Sequence, residues 1–355
     1  MNAQLVEQFD KLITITNDRI LNGDGETNDS FRLKSYKKAR TIIAKYKTPI
    51  NKGEELQDIK GIGPKIVDKI NQIIMTGSIT SIDNVTISET NKIVQDLTHI
   101  VNIGERKAKE LVDKYNLTSI EDLIARHHAG EIELNKKIEL GLKYYAPPGS
   151  TDPTKLQLDI PRDEMTLYKQ TITDLIHGTT GSHGSSSSNP YTVEICGSYR
   201  RGAATSNDVD VLITHPDFHI QQTDELKTFT QANEKYYTIQ RVKQGLSFIL
   251  KQLDSLLLDT MSVGKYKYMG FFKLDQYPVR RIDIRFVPWE CYPTGLLYFT
   301  GSMELNKKMR QTAASKKMKL NEYGLFDHNN RMLPVHHEKD VFDLLSMEYM
   351  EPTDR

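Results

Sequence analysis

The chain has 355 residues, of which 38% are hydrophobic and 26% charged, and its 47 Lys and Arg are balanced by 47 Asp and Glu. That length is too great for one ordinary domain and predicts two or three compact units, with a composition ordinary for a soluble globular protein. No apolar run approaches the ~20 residues of a membrane span, and Met1–Glu7 has neither the basic flank nor the apolar segment of a secretory signal.

The start of the chain also lacks the Arg-rich, acid-poor character of a mitochondrial presequence. Cys196 and Cys291, the only cysteines, are far apart and without metal-ligand spacing. This argues against a disulfide scaffold or a zinc site and fits a reducing intracellular compartment. Zero net charge argues against a chain that binds polyanions over its whole surface, yet the charge is unevenly spread. Arg32–Lys69 holds eleven Lys and Arg against four Asp and Glu, and Ser302–Lys319 holds six against Glu304 alone. Such patches suit local nucleic-acid contact, or else a solvated helix face.

Residues 1–150 read as helical. Leu5, Phe9, Leu12 and Ile13 recur at helical spacing, as do Ile42, Ile43 and Tyr46, and Ile66, Ile70, Ile73 and Ile74. Gly23–Glu26 reads as a loop. An internal repeat lies in this half: Ile59-Lys60-Gly61-Ile62-Gly63-Pro64-Lys65 is echoed by Val101-Asn102-Ile103-Gly104-Glu105-Arg106. Each copy precedes an amphipathic helix. A Gly-Ile-Gly hairpin before a helix points backbone N–H groups at a helix N-terminus, which suits a phosphate, and Lys65 and Arg106 add charge at equivalent positions. Such contacts position DNA without reading it. A plain helix–turn–helix packing unit would also use these glycines. Asn102, standing where the first copy has Gly61, tolerates a left-handed backbone. Lys69 follows Lys65 by four residues on the same helix face. Crowded by cations, its amine could attack an aldehyde, but from these residues alone a second phosphate-binding lysine is the favoured reading.

Tyr145–Ser150 reads as a linker. Beyond it Tyr191–Cys196, Val209–Thr214 and Arg281–Val287 have strand-like lengths and patterns, with a helix over Met165–Ile176. Gly178–Pro190, which holds four consecutive serines, reads as a disordered surface loop. The second half is therefore α+β.

Cys196-Gly197-Ser198-Tyr199-Arg200-Arg201-Gly202 followed by Asp208-Val209-Asp210-Val211 is the most specific signal. Residues i and i+2 of a strand share a face, so Asp208 and Asp210 present two carboxylates together while Val209 and Val211 bury behind them. Two acids on one face repel unless a cation lies between them, and oxygen-only ligands suit Mg²⁺. Gly197 and Ser198 before a basic pair offer N–H, hydroxyl and guanidinium to a triphosphate. Asp283, within Arg281-Ile282-Asp283-Ile284-Arg285, supplies a third carboxylate on a strand able to pair beside the first two. Three such acids make a clamp for two metal ions, and Asp283 is also placed to take the proton of an attacking hydroxyl. Tyr298-Phe299-Thr300-Gly301-Ser302, then Asn306 and Arg310 four residues apart on a helix, suit stacking on a sugar and probing base edges, or equally core packing.

Together these motifs resemble the family X DNA polymerases, and the similarity runs from about Ser35 to Arg355. The resemblance implies a template-directed polymerase that fills short gaps in base-excision repair and carries a 5′-deoxyribose-phosphate lyase. Lys69 falls on the family's Schiff-base lysine and Tyr36, Lys65 and Asp68 on its neighbours, while Phe31, Arg32, Tyr36 and Lys65 fall on DNA-binding positions. Gly61, Gly63, Gly104 and Arg106 fall on helix–hairpin–helix motifs that touch DNA. In those motifs the carbonyls of Lys60, Ile62, Val101 and Ile103 would hold a monovalent cation such as Na⁺ or K⁺. Ser198 and Arg201 match triphosphate-binding positions, Tyr298 and Phe299 the sugar-contacting pair, and Gly301 a nucleotide-binding position. Asn306 matches a base-edge contact, Arg310 a template contact, and Arg162 also falls on a family position. Asp208, Asp210 and Asp283 match the ligands of two Mg²⁺ ions. Phe31 replaces a histidine that stacks on a template base, which keeps stacking but no proton role. Arg32 replaces a lysine, Met303 an acid near the incoming base and Asn207 a glycine.

The implied organisation is an all-α N-terminal half with two helix–hairpin–helix motifs, then an α+β nucleotidyltransferase palm and a small α+β C-terminal subdomain. Its segments are a helical lyase domain over 1–86, a helical, thumb-like DNA-binding domain over 87–150, a catalytic palm over 151–289 and a nucleotide-selection subdomain over 290–355. Gapped or nicked DNA, deoxynucleoside triphosphates and other base-excision-repair proteins are the expected partners of a monomer that binds no membrane. The nucleus is the expected location, with cytoplasm or mitochondrion as alternatives. A DNA-binding scaffold without chemistry would not need three carboxylates. A template-independent nucleotidyltransferase would have less use for Asn306 and Arg310, and this chain lacks room for the extra N-terminal domain of such relatives.

Overall fold

A computed structural model describes residues 2–23, 25–59, 61–79, 89–178, 191–220, 237–238 and 245–355. Lys60 and most of the Gly178–Pro190 tract, residues 179–190, lie outside the described residues. The chain divides into two compact units, residues 1–142 and 143–355.

In the first unit α1 (Ala3–Asn22) packs along α2 (Asp29–Lys45), and a short turn of helix over Gly53–Leu56 packs on α3 (Pro64–Thr76). The apolar residues at helical spacing meet in one core, with Phe9, Leu12, Ile43, Leu56, Ile70 and Ile73 almost wholly removed from water. Four further helices follow: α4 (Glu89–Leu97), α5 (Glu105–Tyr115), α6 (Ile120–His128) and α7 (Lys136–Lys143). Val94, Leu97, Ala108, Leu111 and Leu123 are buried along them. Ser119 starts α6 by accepting the N–H of Asp122, which satisfies one of the free donors at a helix start.

The second unit opens with β1 (Ile160–Pro161), α8 (Arg162–His177), β2 (Thr192–Ile195) and the one-turn α9 (Gly197–Arg200). It continues through β3 (Thr205–Ser206), β4 (Val209–Thr214), β5 (His219–Ile220), β6 (Tyr237–Thr238), α10 (Leu246–Gln252), β7 (Leu257–Val263), β8 (Lys267–Phe272) and β9 (Arg280–Phe286). The main sheet has the order β2-β4-β9-β8-β7, and all its neighbours are antiparallel except β4 and β9. One face packs on α8, with Tyr168, Ile172, Ile195, Ile213, Phe272, Ile284 and Phe286 in the core. A buried ion pair fastens sheet to helix: Arg280 of β9 bonds Glu164 of α8 at 2.7 Å, and the Tyr168 hydroxyl donates to the same carboxylate at 2.7 Å.

The chain ends with α11 (Tyr292–Thr300), α12 (Met303–Ser315), a hairpin of β10 (Lys319–Asn321) and β11 (Gly324–Phe326), and α13 (Glu338–Leu344). Leu305, Met309, Leu325, Val341 and Phe342 form a smaller core of their own. This is the all-α half followed by an α+β half that the sequence predicts. Among the described residues, no helix is long and apolar enough to cross a membrane.

Candidate active site and nucleic-acid interface

The parallel pair of β4 and β9 sets the central feature. Its register makes Asp210 and Asp283 direct partners, with Val209 opposite Ile282 and Val211 opposite Ile284. Parallel partners point to the same face, so the two carboxylates stand side by side, and Asp208 adds a third two residues earlier. Along β9 burial alternates strictly: Ile282, Ile284 and Phe286 are buried, while Arg281, Asp283 and Arg285 are half-exposed on the other face. The acids and two guanidiniums therefore share one surface.

The electrostatics follow from that crowding. Burial, then the charges of Asp208 and Asp283, push Asp210 up to about 7. Burial also raises Asp283, against the opposing pull of Arg285 and Lys267. Arg281 is hydrogen-bonded to Asp208, and Arg285 Nε donates to Asp283 Oδ1 at 3.1 Å. The guanidiniums thus supply the positive charge that clustered carboxylates need. Among the described residues, no three His, Cys, Asp or Glu side chains converge as a metal-holding group; Asp208 and Asp283 instead spend carboxylate oxygens on Arg281 and Arg285.

The turn into α9 lies against these acids. Gly197 has φ +58, and a Cβ there would come within 2.5 Å of Asp210 Oδ2, so only glycine fits both the backbone and the approach. Asp210 in turn holds the turn through its carbonyl, which accepts the Cys196 N–H at 2.8 Å. The Ser198 hydroxyl donates to Ser206 Oγ at 2.8 Å. Arg200 and Arg201 both reach the end of α11: Arg200 donates to Thr300 Oγ1 at 2.6 Å and Arg201 to the Thr300 carbonyl at 2.6 Å. Arg200 also pairs with the buried Glu338 at 2.7 Å. Arg162 lies over the Tyr199 ring and donates to the Tyr199 carbonyl at 2.8 Å. The Gly301–Ser302 peptide is cis.

A cavity of about 610 Å³ collects these groups, within the size range of small-molecule sites. Asp208, Asp210, Asp283, Ser198, Arg201, Tyr298, Phe299, Gly301, Asn306 and Arg310 all line it. Met303, Asn306, Lys307 and Arg310 do so from one face of α12, at i, i+3, i+4 and i+7. The Asn306 amide donates to the Tyr298 carbonyl at 2.8 Å, and Arg310 lies 5.0 Å from the Tyr298 ring centroid.

In the first unit a separate cavity of about 420 Å³ is lined by Arg32, Tyr36, Lys65, Asp68 and Lys69, together with Arg19, Asp29 and Gln72. Lys69 Nζ lies 5.8 Å from the Tyr36 ring centroid. Burial, then the charge of Arg32, lowers the Lys69 pKa from its ordinary value. Phe31 is 73% exposed and is not among the lining residues.

The two hairpins repeat each other residue by residue. Gly61 and Asn102 are left-handed, with φ 115 and 71. Ile62 and Ile103 plug into the core and donate N–H back three residues. Gly63 and Gly104 are extended N-caps of α3 and α5, without side-chain capping bonds. Lys65 and Arg106 are each the second helical residue. Val101 carries the carbonyl before Asn102, while its counterpart Lys60 is outside the described residues.

Reading the sequence leaves Arg281, Arg285 and Thr300 without a role of their own and misses Lys307, Arg19 and Asp29 altogether. Strand alternation could have placed the first two on the acid face, and helical spacing could have added Lys307 to Met303, Asn306 and Arg310. Nothing in its motif foretells that Thr300 accepts from Arg200 and Arg201, and no local pattern marks Arg19 or Asp29.

Comparison with known proteins follows the same order along the chain. Residues 1–79 match a helix-hairpin-helix domain and residues 95–146 the fingers domain of DNA polymerase lambda. Residues 159–289 match the DNA polymerase beta palm and residues 295–355 the DNA polymerase beta thumb. The chain is 31% identical to DNA polymerase lambda of Arabidopsis thaliana over its whole length, covering 62% of that protein. It is 28% identical to DNA polymerase lambda of Rattus norvegicus over 92% of the chain and 53% of the relative. To the DNA nucleotidylexotransferase of Xenopus laevis it is 24% identical, over 91% of the chain and 64% of the relative. It thus spans only part of each relative's length. With palm, thumb and helix–hairpin–helix matches in sequence along it, the chain belongs to the family X DNA polymerases, related to DNA polymerase beta.

Proposed function

We propose that the chain is a template-directed DNA polymerase that fills short gaps in base-excision repair, with a Schiff-base 5′-deoxyribose-phosphate lyase in its N-terminal domain. The observation that carries the polymerase reading is the register of Asp210 with Asp283, which brings both acids and Asp208 into one cavity with Arg201, Tyr298, Asn306 and Arg310.

The donor set fits a divalent metal. It offers oxygen only, it is partly buried, and the mutual repulsion that helps push Asp210 up is what a hard cation relieves. Asp208, Asp210 and Asp283 would hold two Mg²⁺ ions, which when bound supply activation of the primer hydroxyl and charge neutralisation at the leaving phosphates. Arg281 and Arg285 are the side chains that would then give up the carboxylates. Asp283 takes the hydroxyl proton on its carboxylate. Ser198 and Arg201 grip triphosphate oxygens, Tyr298 and Phe299 face the sugar, and Gly301 belongs to the same nucleotide-binding stretch. Asn306 meets a base edge and Arg310 the template.

In the N-terminal unit the lowered pKa of Lys69 leaves more neutral amine for attack on the sugar aldehyde. Water leaves as the imine forms; the imine acidifies the adjacent sugar carbon, whose proton passes to solvent, and the electron pair left behind forms a C=C bond as the neighbouring phosphate departs with the C–O pair. Tyr36, Lys65 and Asp68 surround that step, and Phe31 stacks on a template base. Hairpin amides with Lys65 and Arg106 hold DNA phosphates, and carbonyls of Lys60, Ile62, Val101 and Ile103 would take Na⁺ or K⁺. The four segments 1–86, 87–150, 151–289 and 290–355 are the lyase, DNA-binding, palm and nucleotide-selection domains. The partners are gapped or nicked DNA, deoxynucleoside triphosphates and other repair proteins, and the place of work is the nucleus.

One-nucleotide gap filling tests the polymerase reading. Asp283→Asn should abolish nucleotide addition while gapped-DNA binding persists, and near wild-type extension by that variant would refute the assignment. Because a DNA nucleotidylexotransferase is among the relatives, primer ends without template serve as the parallel substrate. Extension there at the templated rate would replace this reading with a template-independent one.

A further inference from the structure

We propose that Arg19, rather than Arg32, is the guanidinium that grips the 5′-phosphate in the N-terminal cavity. The proposal rests on the lyase reading of that cavity and adds a binding residue to it.

The cavity wall carries four cationic side chains, Arg19, Arg32, Lys65 and Lys69, against two carboxylates, Asp29 and Asp68. The four cations are not equally available. Arg32 Nη1 donates to Asp29 Oδ1 at 2.9 Å and to Glu26 Oε2 at 2.6 Å. Asp29 is almost wholly buried and also accepts the Glu26 N–H at 3.1 Å, so the acid that holds Arg32 is itself fixed in place. Both carboxylates hold Arg32 more firmly protonated. A phosphate approaching Arg32 would meet a guanidinium already bonded to two acids. Those acids occupy Nη1 and offset part of the charge, so a phosphate at Arg32 competes with two carboxylates already in place.

Arg19 is placed differently. It stands in the last turn of α1, exposed, with no hydrogen bond or ion pair to any described residue. Its charge, like that of Arg32, is felt at the Tyr36 hydroxyl, while Lys69 lies over the Tyr36 ring. Tyr36 thus has the free guanidinium and the amine both as neighbours. A sugar whose aldehyde reaches Lys69 and whose phosphate lies across Tyr36 would meet Arg19, with Lys65 as a second cation on the wall. Arg19 needs no other bond broken to accept two phosphate oxygens through its planar fork.

The test compares affinity for one-nucleotide gapped DNA bearing a 5′-phosphate or a 5′-hydroxyl on the downstream strand, measured over a salt series. A charge-assisted bond of this kind corresponds to ~10- to 100-fold in affinity. Arg19→Gln should lower the preference for phosphate by that factor, and its salt slope should fall by about one contact. Arg19→Lys should keep part of the preference, and Arg32→Gln should cost less than Arg19→Gln. Arg19→Gln with an undiminished phosphate preference would overturn the proposal while leaving the lyase reading intact. A larger loss in Arg32→Gln than in Arg19→Gln would overturn it in the same way. A wild type that does not distinguish phosphate from hydroxyl would instead sink the reading of the cavity itself.

Discussion

Replacing Gly197 by alanine should damage catalysis far more than stability. At φ +58 an L-residue with a Cβ carries a penalty of ~1–2 kcal/mol. In a unit the size of residues 143–355, each kcal/mol is worth roughly 2–4 °C in Tm, so the expected loss is about 2–8 °C. The new Cβ would also stand 2.5 Å from Asp210 Oδ2. Ordinary contact with carbon begins near 3.4 Å, so the carboxylate must retreat by about 0.9 Å, the difference between the two distances. A displacement of about 1 Å at a reacting centre costs ~100-fold in rate. Gly202→Ala provides the control, since Gly202 has φ +80 but meets only the Thr353 Cγ2 methyl, at 3.3 Å. The two alanine variants therefore share the backbone penalty, and only Gly197→Ala disturbs a carboxylate. Single-turnover filling of a one-nucleotide gap, alongside thermal denaturation, separates the two effects. Equal activity in Gly197→Ala and Gly202→Ala, at similar Tm, would show that the approach of Gly197 to Asp210 has no bearing on the chemistry.

Three further outcomes are expected. Gly104→Ala adds a Cβ with nothing within 4 Å and at an ordinary negative φ, so Tm should hold while gapped-DNA affinity falls; unchanged affinity would remove the second hairpin from the DNA interface. Lys69 has a lowered pKa, so its amine is freed at a lower pH than an ordinary lysine's, and borohydride trapping of an incised abasic site should reach half its maximum below pH 10.5. Arg32→Gln removes a charge that lowers this pKa and should move the profile to higher pH, whereas a midpoint that stays put would detach Arg32 from Lys69. Glu164→Gln leaves Arg280 buried beside an uncharged partner, with an expected cost of ~3–5 kcal/mol; a denaturant midpoint within error of wild type would contradict the pairing.

Much of the second unit was legible because strands and carboxylates leave local marks. The strand read at Val209–Thr214 has the same bounds in the structure, and the one read at Arg281–Val287 is displaced by a single residue. Alternation alone put Asp208 and Asp210 on one face. It could not say that β4 pairs with β9 in parallel, or that Asp210 falls opposite Asp283, because that register depends on residues more than seventy positions apart. Arg281 and Arg285 escaped for the same reason: their faces were readable, but their partners were not. In the first unit the cation spacing marked Lys65 and Lys69, yet the pairing of Arg32 with Asp29 and Glu26 comes from a turn whose geometry no periodicity encodes.

The partnership of Asp210 with Asp283 makes chain length a determinant of the site. Strand faces alternate with every residue, so one residue inserted between Arg280 and Asp283 would turn the carboxylate toward the core and bring an isoleucine out in its place. Such a change deletes no functional group, yet it would silence the site as surely as removing the acid. The same insertion at Gly264–Tyr266, in the turn between β7 and β8, leaves the partnership of β4 and β9 untouched. Insertions and deletions tolerated during divergence should therefore collect in such turns and be purged from the few residues on either side of Asp283.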